Sequence, residues 1–268
     1  MVVFRTNTAY DRFWEGRKLV SVIESTITKV MRMFNVSIHP KTDKESEDRI
    51  QALKNIVAMA YSIKYYLLAR PNYFNKKMET LFSQEILDMA NENKGRHSID
   101  ERKIVVSDFE MRDHGIFSKN TFNLPITLSF ELTNYLEYMD KSEIMPILYM
   151  GMYNSIGSIM DAFVGCIRIQ TTPVPFAYSS HLHLVTALYL LSIPFSLNGY
   201  PVAITAVVQA IITFMLLGVL SIAEEIENPF GSDKNDLPIS RYCDNLYEHL
   251  MFILDNQPLK KSLSGSTN

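Results

Sequence analysis

Two long apolar runs, separated by a short turn, constrain this chain more than any other feature of its sequence. The runs extend over Pro175–Leu197 and Val202–Ala223, and the turn is Asn198–Pro201. At about 1.5 Å rise per residue, each run can cross a hydrocarbon core about 30 Å thick as one helix. No Lys or Arg occurs from Thr171 to Asp233. The pattern predicts a helical hairpin that crosses a membrane twice.

The distribution of charge predicts where the rest of the chain lies. Basic residues flank the hairpin on both sides, and Lys and Arg are enriched in cytoplasmic segments of membrane proteins. We therefore expect a multi-pass protein of the cell membrane, with the bulk of the chain cytoplasmic. The net charge of −3 argues against a nucleic-acid partner. Cys166 and Cys243 fit neither a disulfide framework nor a zinc site, and we expect buried thiols.

Helical periodicity dominates the remaining sequence. Apolar residues recur three or four positions apart, without strand-like alternation, and this predicts an all-α fold. The predicted helices are Phe4–Val36, Ser46–Leu68, Lys76–Asn91, Ser98–Arg112, Pro125–Tyr138, Ser142–Gln170 and Leu237–Leu254, with a flexible tail over Gln257–Asn268. We divide the chain into a membrane exit at 1–18, a cytosolic helical region at 19–170, the membrane hairpin at 171–231, and a cytosolic acidic loop, helix and tail at 232–268.

The sequence contains no pattern typical of an enzyme. A phosphate-binding glycine-rich loop, a nucleophile elbow and a paired-histidine metal motif are all missing from it. His181 and His183 stand two positions apart, so they point to different sides of a helix. We expect them to be structural hydrogen-bonding groups, and we predict no catalytic residue and no cofactor.

The second apolar run ends in a cluster of carboxylates. Glu224, Glu225 and Glu227 precede the helix-breaking pair Asn228–Pro229. Carboxylates on a bent backbone are ligands that a hard cation such as calcium prefers. Alternatively, they mark the membrane boundary and pair with arginines of neighbouring helices. Both interpretations are open at this point.

Three stretches resemble signature motifs of the bestrophin family in order and spacing, and the resemblance covers nearly the whole chain. Phe4–Glu15 reads FRTNTAYDRFWE, Thr172–Tyr178 reads TPVPFAY, and Glu227–Gly231 reads ENPFG. The resemblance is to bacterial members of the family. It implies a pentameric, all-helical ion channel with four membrane helices per subunit, a narrow hydrophobic neck and a wide cytosolic vestibule. It also implies that the first membrane helix and most of the second precede Met1.

The resemblance further implies roles for individual residues. Phe4 matches the innermost position of the hydrophobic neck. Ile156 matches the cytosolic aperture, with Leu148 and Met152 as alternatives.

A calcium-binding cluster of animal bestrophins has counterparts in this chain. The matching positions are Glu225, Asn228, Asp233 and Asp236. Lys234 and Asn235 stand where that cluster has acids, which argues against regulation by calcium.

The function that the resemblance implies is passage of monovalent ions, chloride and other anions first, through a hydrophobic neck. The implied partners are the membrane, other copies of the chain in a homopentamer, and the permeant ions. One alternative is a cation-conducting bacterial bestrophin. Another is a membrane-anchored helical scaffold that conducts nothing.

Overall fold

The structure is a computed structural model of the chain and describes residues 2–68, 75–88, 123–142 and 144–256. No strand occurs in these ranges, and the predicted all-α fold is confirmed. The longer helices are α1 (Val2–Ser37), α2 (Asp43–Leu67), α3 (Leu124–Tyr138), α4 (Pro146–Thr171), α5 (Phe176–Ser196), α6 (Val202–Glu227) and α7 (Ile239–Asp255). Short helical segments at Lys76–Glu79 and 84–88 lie between α2 and α3 in sequence.

Capping moves the start of α2 ahead of the predicted Ser46. The Thr42 hydroxyl accepts a hydrogen bond from the Glu45 amide at 3.2 Å, and the Glu45 carboxylate accepts one from the Lys41 amide at 2.7 Å. The first bond satisfies an amide of the first turn that lacks a partner within the helix, and the second fixes the residue before the N-cap against that turn. Similarly, α4 begins at Pro146, because proline is favoured in the first helical turn.

Two predicted segments cannot be compared with the structure. Ser98–Arg112 and Gln257–Asn268 lie outside the described residues, as does the end of Lys76–Asn91.

The chain forms two compact units. Of the described residues, the first unit contains 2–17 and 169–237, and the second contains those between 18 and 168 together with 238–256. Each unit has its own interior, which is described separately below.

In the second unit, α2 packs against both α3 and α7. Nearly every residue of α2 from Ala52 to Ile63 is buried. Ring contacts connect two further helix pairs of this unit: Phe34 of α1 stacks on Tyr135 of α3 with centroids 5.7 Å apart, and Tyr66 of α2 meets Phe163 of α4 edge-on at 5.2 Å. The core therefore depends on aromatic contacts around a buried central helix.

A polar contact joins α2 to α7 in the same unit. The buried Tyr61 hydroxyl donates a hydrogen bond to Asp244 at 2.9 Å, and Lys77 lies 2.7 Å from the same oxygen. The Lys77 hydrogen bond lowers the pKa of Asp244, and the Tyr61 hydrogen bond adds to this effect. Both cysteines are buried and neither forms a disulfide bond, as predicted. Burial raises the pKa of the Cys243 thiol to about 12.

The first unit contains the helical hairpin, α5 followed by α6. Gly199 in the connecting turn has φ +109°, a conformation that favours glycine. Both helices are long and apolar enough to cross a membrane. Their large apolar side chains are exposed, for example Phe195 at 82% and Phe214 at 81%. Helix α6 continues beyond the predicted end at Ala223 and includes the acidic residues up to Glu227.

Candidate functional site

A buried arginine is the centre of a polar cluster at the end of the hairpin opposite the Gly199 turn. Arg5 of α1 is 3% exposed, and its guanidinium lies 3.3 Å from Glu224 and 3.7 Å from Glu227. It also donates a hydrogen bond to the Ser179 hydroxyl of α5. A buried charge is tolerated only when it is paired and hydrogen-bonded. Arg5 therefore joins the start of α1 to both helices of the hairpin.

A second arginine of α1, Arg12, binds the backbone where two other helices end. Its guanidinium donates to the carbonyl oxygens of Ile169 at 2.6 Å, Thr172 at 2.5 Å and Glu227 at 3.2 Å. Carbonyls at a helix C-terminus lack partners within the helix and carry partial negative charge. Arg12 consequently caps the ends of α4 and α6 together. We call the contacts of Arg5 and Arg12 with these groups the arginine junction.

Glu227 contributes to the arginine junction through three of its oxygens. Its carbonyl accepts from Arg12, one carboxylate oxygen accepts from the Val174 amide at 3.0 Å, and the other faces Arg5. Val174 lies in the connection between α4 and α5. Glu227 thereby fixes that connection against the last turn of α6.

His183 of α5 also contacts the junction. Its Nδ1 lies 2.9 Å from the carbonyl oxygen of Ser179, and its Nε2 lies 3.0 Å from the Glu224 carboxylate. The expectation that His183 is a hydrogen-bonding group is confirmed. Its partner Glu224 was not predicted.

The loop after α6 packs into a notch on α1. A Cβ atom at Gly16 would lie 2.9 Å from Pro229 Cγ and 3.1 Å from Phe230 Cζ, so glycine is needed for this close approach. Phe230 is 1% exposed. The Leu237 amide donates to the Pro229 carbonyl at 3.1 Å and closes the loop. The ENPFG motif therefore has a packing role next to the junction.

The predicted neck residue, Phe4, lies on the exposed surface of its own chain. It is 64% exposed, and its ring meets Tyr178 edge-on with centroids 6.2 Å apart. Phe4 directly precedes Arg5, so the junction holds the backbone from which this side chain projects.

The predicted calcium-cluster residues do not form a cation site in the described structure. Within the described ranges, no three His, Cys, Asp or Glu side chains converge as metal ligands. Instead, their oxygens accept hydrogen bonds from the same segment: Glu225 from the Asn235 side chain at 2.8 Å, Asn228 from the Phe230 amide at 3.4 Å, and Asp236 from the Asp233 amide at 2.6 Å. Burial raises the pKa of Asp236. Their assignment to a cation site stays a prediction from the resemblance.

The predicted aperture residues of α4 are mostly buried within the chain. Ile156 is 4% exposed and Met152 is 0% exposed, whereas Leu148 is half-buried. The exposed side of α4 follows a repeat of three and four residues. The exposed residues that follow this repeat are Ile147, Met150, Asn154, Gly157, Asp161, Val164 and Arg168. We call this set the α4 stripe.

Part of this site was predictable from the sequence. The interpretation that carboxylates pair with an arginine of a neighbouring helix is confirmed for Glu224 and Glu227. The capping role of Arg12 was missed. Its seven-residue spacing from Arg5, which puts both on one face of α1, was the available signal.

Comparisons with known proteins agree with these observations. A family model described as Bacterial/Fungal Bestrophin protein matches residues 1–251. A voltage-dependent anion channel-forming protein of Synechocystis sp. is 32% identical over 260 residues, which cover 96% of this chain and 75% of that protein. A Nostoc sp. protein of the same description is 31% identical over 251 residues, covering 93% of this chain and 72% of that protein.

The fold has been observed in a solved structure. A crystal structure of a bacterial bestrophin homologue from Klebsiella pneumoniae matches with a TM-score of 0.74 and 23% identity, covering 94% of this chain and 82% of that one. The matching family model and the cyanobacterial relatives confirm the resemblance carried by the three motifs, and the chain belongs to the bestrophin family.

Proposed function

We propose that this chain is a subunit of a membrane channel that passes monovalent ions, with anions favoured. The observation that carries the proposal is the exposure of the hairpin. Most residues of α5 and α6 are not buried within the chain, and large apolar side chains such as Phe195 and Phe214 are exposed. Leaving this surface in water would cost about 25 cal/mol per Å² of apolar area, so lipid or other subunits must cover it. The printed names of the cyanobacterial relatives, which describe anion channel-forming proteins, support the choice of ion.

The proposed topology is that of a multi-pass protein of the cell membrane. Residues 1–18 leave the membrane and 171–231 form the hairpin within it, while 19–170 and 232–268 are cytosolic. The restriction of Lys and Arg to the segments outside 171–233 supports this arrangement.

The proposed assembly is a homopentamer around a central ion pathway. A residue that lines such a pathway must be exposed in a single subunit, and Phe4 meets this condition. A ring of Phe4 side chains would form an apolar constriction that controls flow by wetting and dewetting. The junction at Arg5 supports the proposal because it anchors the backbone next to Phe4.

The same exposure criterion bears on the aperture. Ile156 stays a prediction from the family resemblance, but its side chain is buried in its own chain. The α4 stripe offers an alternative lining, and Met150 is its exposed apolar member nearest to Ile156 in sequence. Comparison of Ile156→Ala with Met150→Ala decides between them, because only a lining residue should alter ion selectivity without loss of protein stability.

Ion flux in liposomes tests the proposal. We would reconstitute the 268-residue chain and a version extended upstream in its native reading frame, and measure flux and reversal potential in chloride and potassium gradients. Flux with a reversal potential that follows chloride supports an anion channel. A reversal potential that follows potassium supports the cation-conducting alternative. If both forms insert and neither conducts, the helical scaffold replaces the channel.

The role of Phe4 has a matched control in its neighbour. Phe4→Ala in the conducting form should raise conductance or weaken selectivity, because it widens the apolar ring. Val3 is 70% exposed, and Val3→Ala should leave both properties unchanged. Unchanged currents in Phe4→Ala would remove this residue from the neck.

A further inference from the structure

Both ring nitrogens of His183 face hydrogen-bond acceptors. Nδ1 lies 2.9 Å from the Ser179 carbonyl oxygen, and Nε2 lies 3.0 Å from a carboxylate oxygen of Glu224. A carbonyl and an ionised carboxylate have lone pairs but no proton to donate. Each contact therefore needs an N–H group on the ring. Neutral imidazole has one N–H group and imidazolium has two, so the doubly protonated ring satisfies both contacts.

The charges around His183 come from the helices packed against α5. Helix α5 itself contains no Asp, Glu, Lys or Arg. Among the described residues, the charged groups on this side are Glu224 and Glu227 of α6 and Arg5 of α1. Arg5 lies 3.3 Å from the same Glu224 oxygen that His183 contacts. His183 and Arg5 thus share one carboxylate.

The link lies near the end of the hairpin that faces the cytosol in the proposed topology. The His183 side chain is 44% exposed and the Glu224 side chain is 48% exposed. Histidine is the side chain whose ordinary pKa, about 6.5, places its change of charge between about pH 5 and 8. Both bonds of this link therefore depend on the charge of one imidazole ring.

We infer that His183 is a proton-dependent link between the two hairpin helices that regulates ion flow; this inference rests on the proposed channel function. With both nitrogens protonated, His183 donates one hydrogen bond within α5 and one charge-assisted bond to Glu224 of α6. When Nε2 loses its proton to water, its lone pair faces the carboxylate and the link opens. Glu224 is then left to Arg5 alone. Because Arg5 follows Phe4 directly, this exchange of partners changes how the start of α1 is held.

The first test measures flux from liposomes that contain the protein, at about pH 5.5 and about pH 8, on either side of the ordinary histidine pKa. We expect wild-type flux to differ by about fivefold or more, the lower end of typical coupling between sites. His183→Gln keeps a hydrogen-bond donor but cannot change charge, and its flux should be the same at both pH values. His181 is exposed and close in sequence, so His181→Gln should behave like the wild type.

The outcomes separate the two hypotheses. A His183→Gln variant that keeps the wild-type pH dependence would overturn the proton-dependent link while leaving the channel in place. The absence of flux from every form at both pH values would overturn the channel, and the link would then be decided by the second test.

The second test does not need ion flow. The six histidines of the chain can be labelled with ¹³C and titrated by NMR in detergent micelles, with His183→Gln and His181→Gln used to assign their resonances. We expect the titration curve of His183 to change in Glu224→Gln and that of His181 to remain the same. Identical His183 curves with and without the Glu224 carboxylate would overturn the inference.

Discussion

Gln209 of α6 donates a hydrogen bond from Nε2 to the carbonyl oxygen of Leu190 in α5 at 3.0 Å. In a regular helix this carbonyl would bond to the amide of residue 194, but Pro194 has no N–H group. A carbonyl without a partner in an apolar environment is costly. Gln209 replaces the missing donor from the neighbouring helix, and the two helices of the hairpin are joined at this depth.

The first prediction concerns this replacement. Gln209→Leu should lower the stability of the hairpin by about 1 kcal/mol, the magnitude found for hydrogen bonds between membrane helices. The same substitution in a Pro194→Ala background should cost less, because the alanine amide can bond to the Leu190 carbonyl within α5. Thermal unfolding of the four proteins in one detergent measures the difference.

A control separates this bond from the other contact of Gln209. Its Nε2 also lies 3.3 Å from the Thr213 hydroxyl. Thr213→Val removes that partner and preserves the bond to Leu190, so it should cost less than Gln209→Leu. An equal loss from Gln209→Leu with and without Pro194 would contradict a role in compensating for the proline.

The second prediction concerns the capping of two helix ends by Arg12. Lysine keeps the charge but lacks the planar fork that reaches three carbonyls at once. Arg12→Lys should therefore destabilise the protein by about 2 kcal/mol, the typical worth of one hydrogen bond to a charged group. Arg32 is exposed on the same helix, and Arg32→Lys should leave the denaturation midpoint unchanged. Equal denaturation midpoints for Arg12→Lys and Arg32→Lys would mean that the stabilisation by Arg12 does not require the planar guanidinium.

Much of the fold could be predicted because its signals are local. The two apolar runs on either side of Asn198–Pro201 predicted the helical hairpin, and helical periodicity predicted the remaining long helices. The errors lie at helix ends, where side chains decide the boundary. The start of α2 depends on Thr42 and Glu45 acting together, and apolar periodicity does not report such a cap.

The site was less predictable because its partners are distant in sequence. The carboxylates at the end of α6 indicated that arginines of other helices would pair with them. They did not indicate that Arg5 would form the ion pair with Glu224, or that Arg12 would bind backbone carbonyls instead. A glutamine in an apolar helix, such as Gln209 in α6, could have indicated a polar contact between the two hairpin helices. Its meaning depends on Pro194 in the other helix, and only the three-dimensional pairing of α5 with α6 brings the two together.

The third prediction concerns the notch at Gly16. A methyl group there would come within 2.9 Å of Pro229 Cγ, and both Pro229 and Phe230 are buried. Gly16→Ala should destabilise the protein by about 1–2 kcal/mol even though alanine favours the helix, since overpacking a filled space typically costs 1–3 kcal/mol. The change in the denaturation midpoint measures this effect.

Two further variants test the explanation. A Cβ atom at Gly157 would meet nothing within 4 Å, so Gly157→Ala should stabilise the protein by up to about 1 kcal/mol through helix propensity. Phe230→Leu should relieve part of the cost of Gly16→Ala. Stabilisation by Gly16→Ala would show that the notch is not needed for packing.

The final prediction concerns the stability of the second unit at acid pH. Hydrogen bonds from Lys77 and Tyr61 lower the pKa of Asp244 in the folded protein. A lowered pKa means that the contribution of the carboxylate is complete above the ordinary aspartate pKa of about 3.9 and is lost as the pH falls through the folded value. Asp244→Asn should therefore have a lower Tm than the wild type at neutral pH, and the difference should shrink below about pH 4. Asp255, exposed at the end of the same helix, provides the control, since Asp255→Asn should track the wild type at every pH. If the Tm difference between Asp244→Asn and the wild type persists unchanged at low pH, protonation of Asp244 does not remove what the substitution removes. The effect of the substitution would then come from packing and not from the charge of the carboxylate.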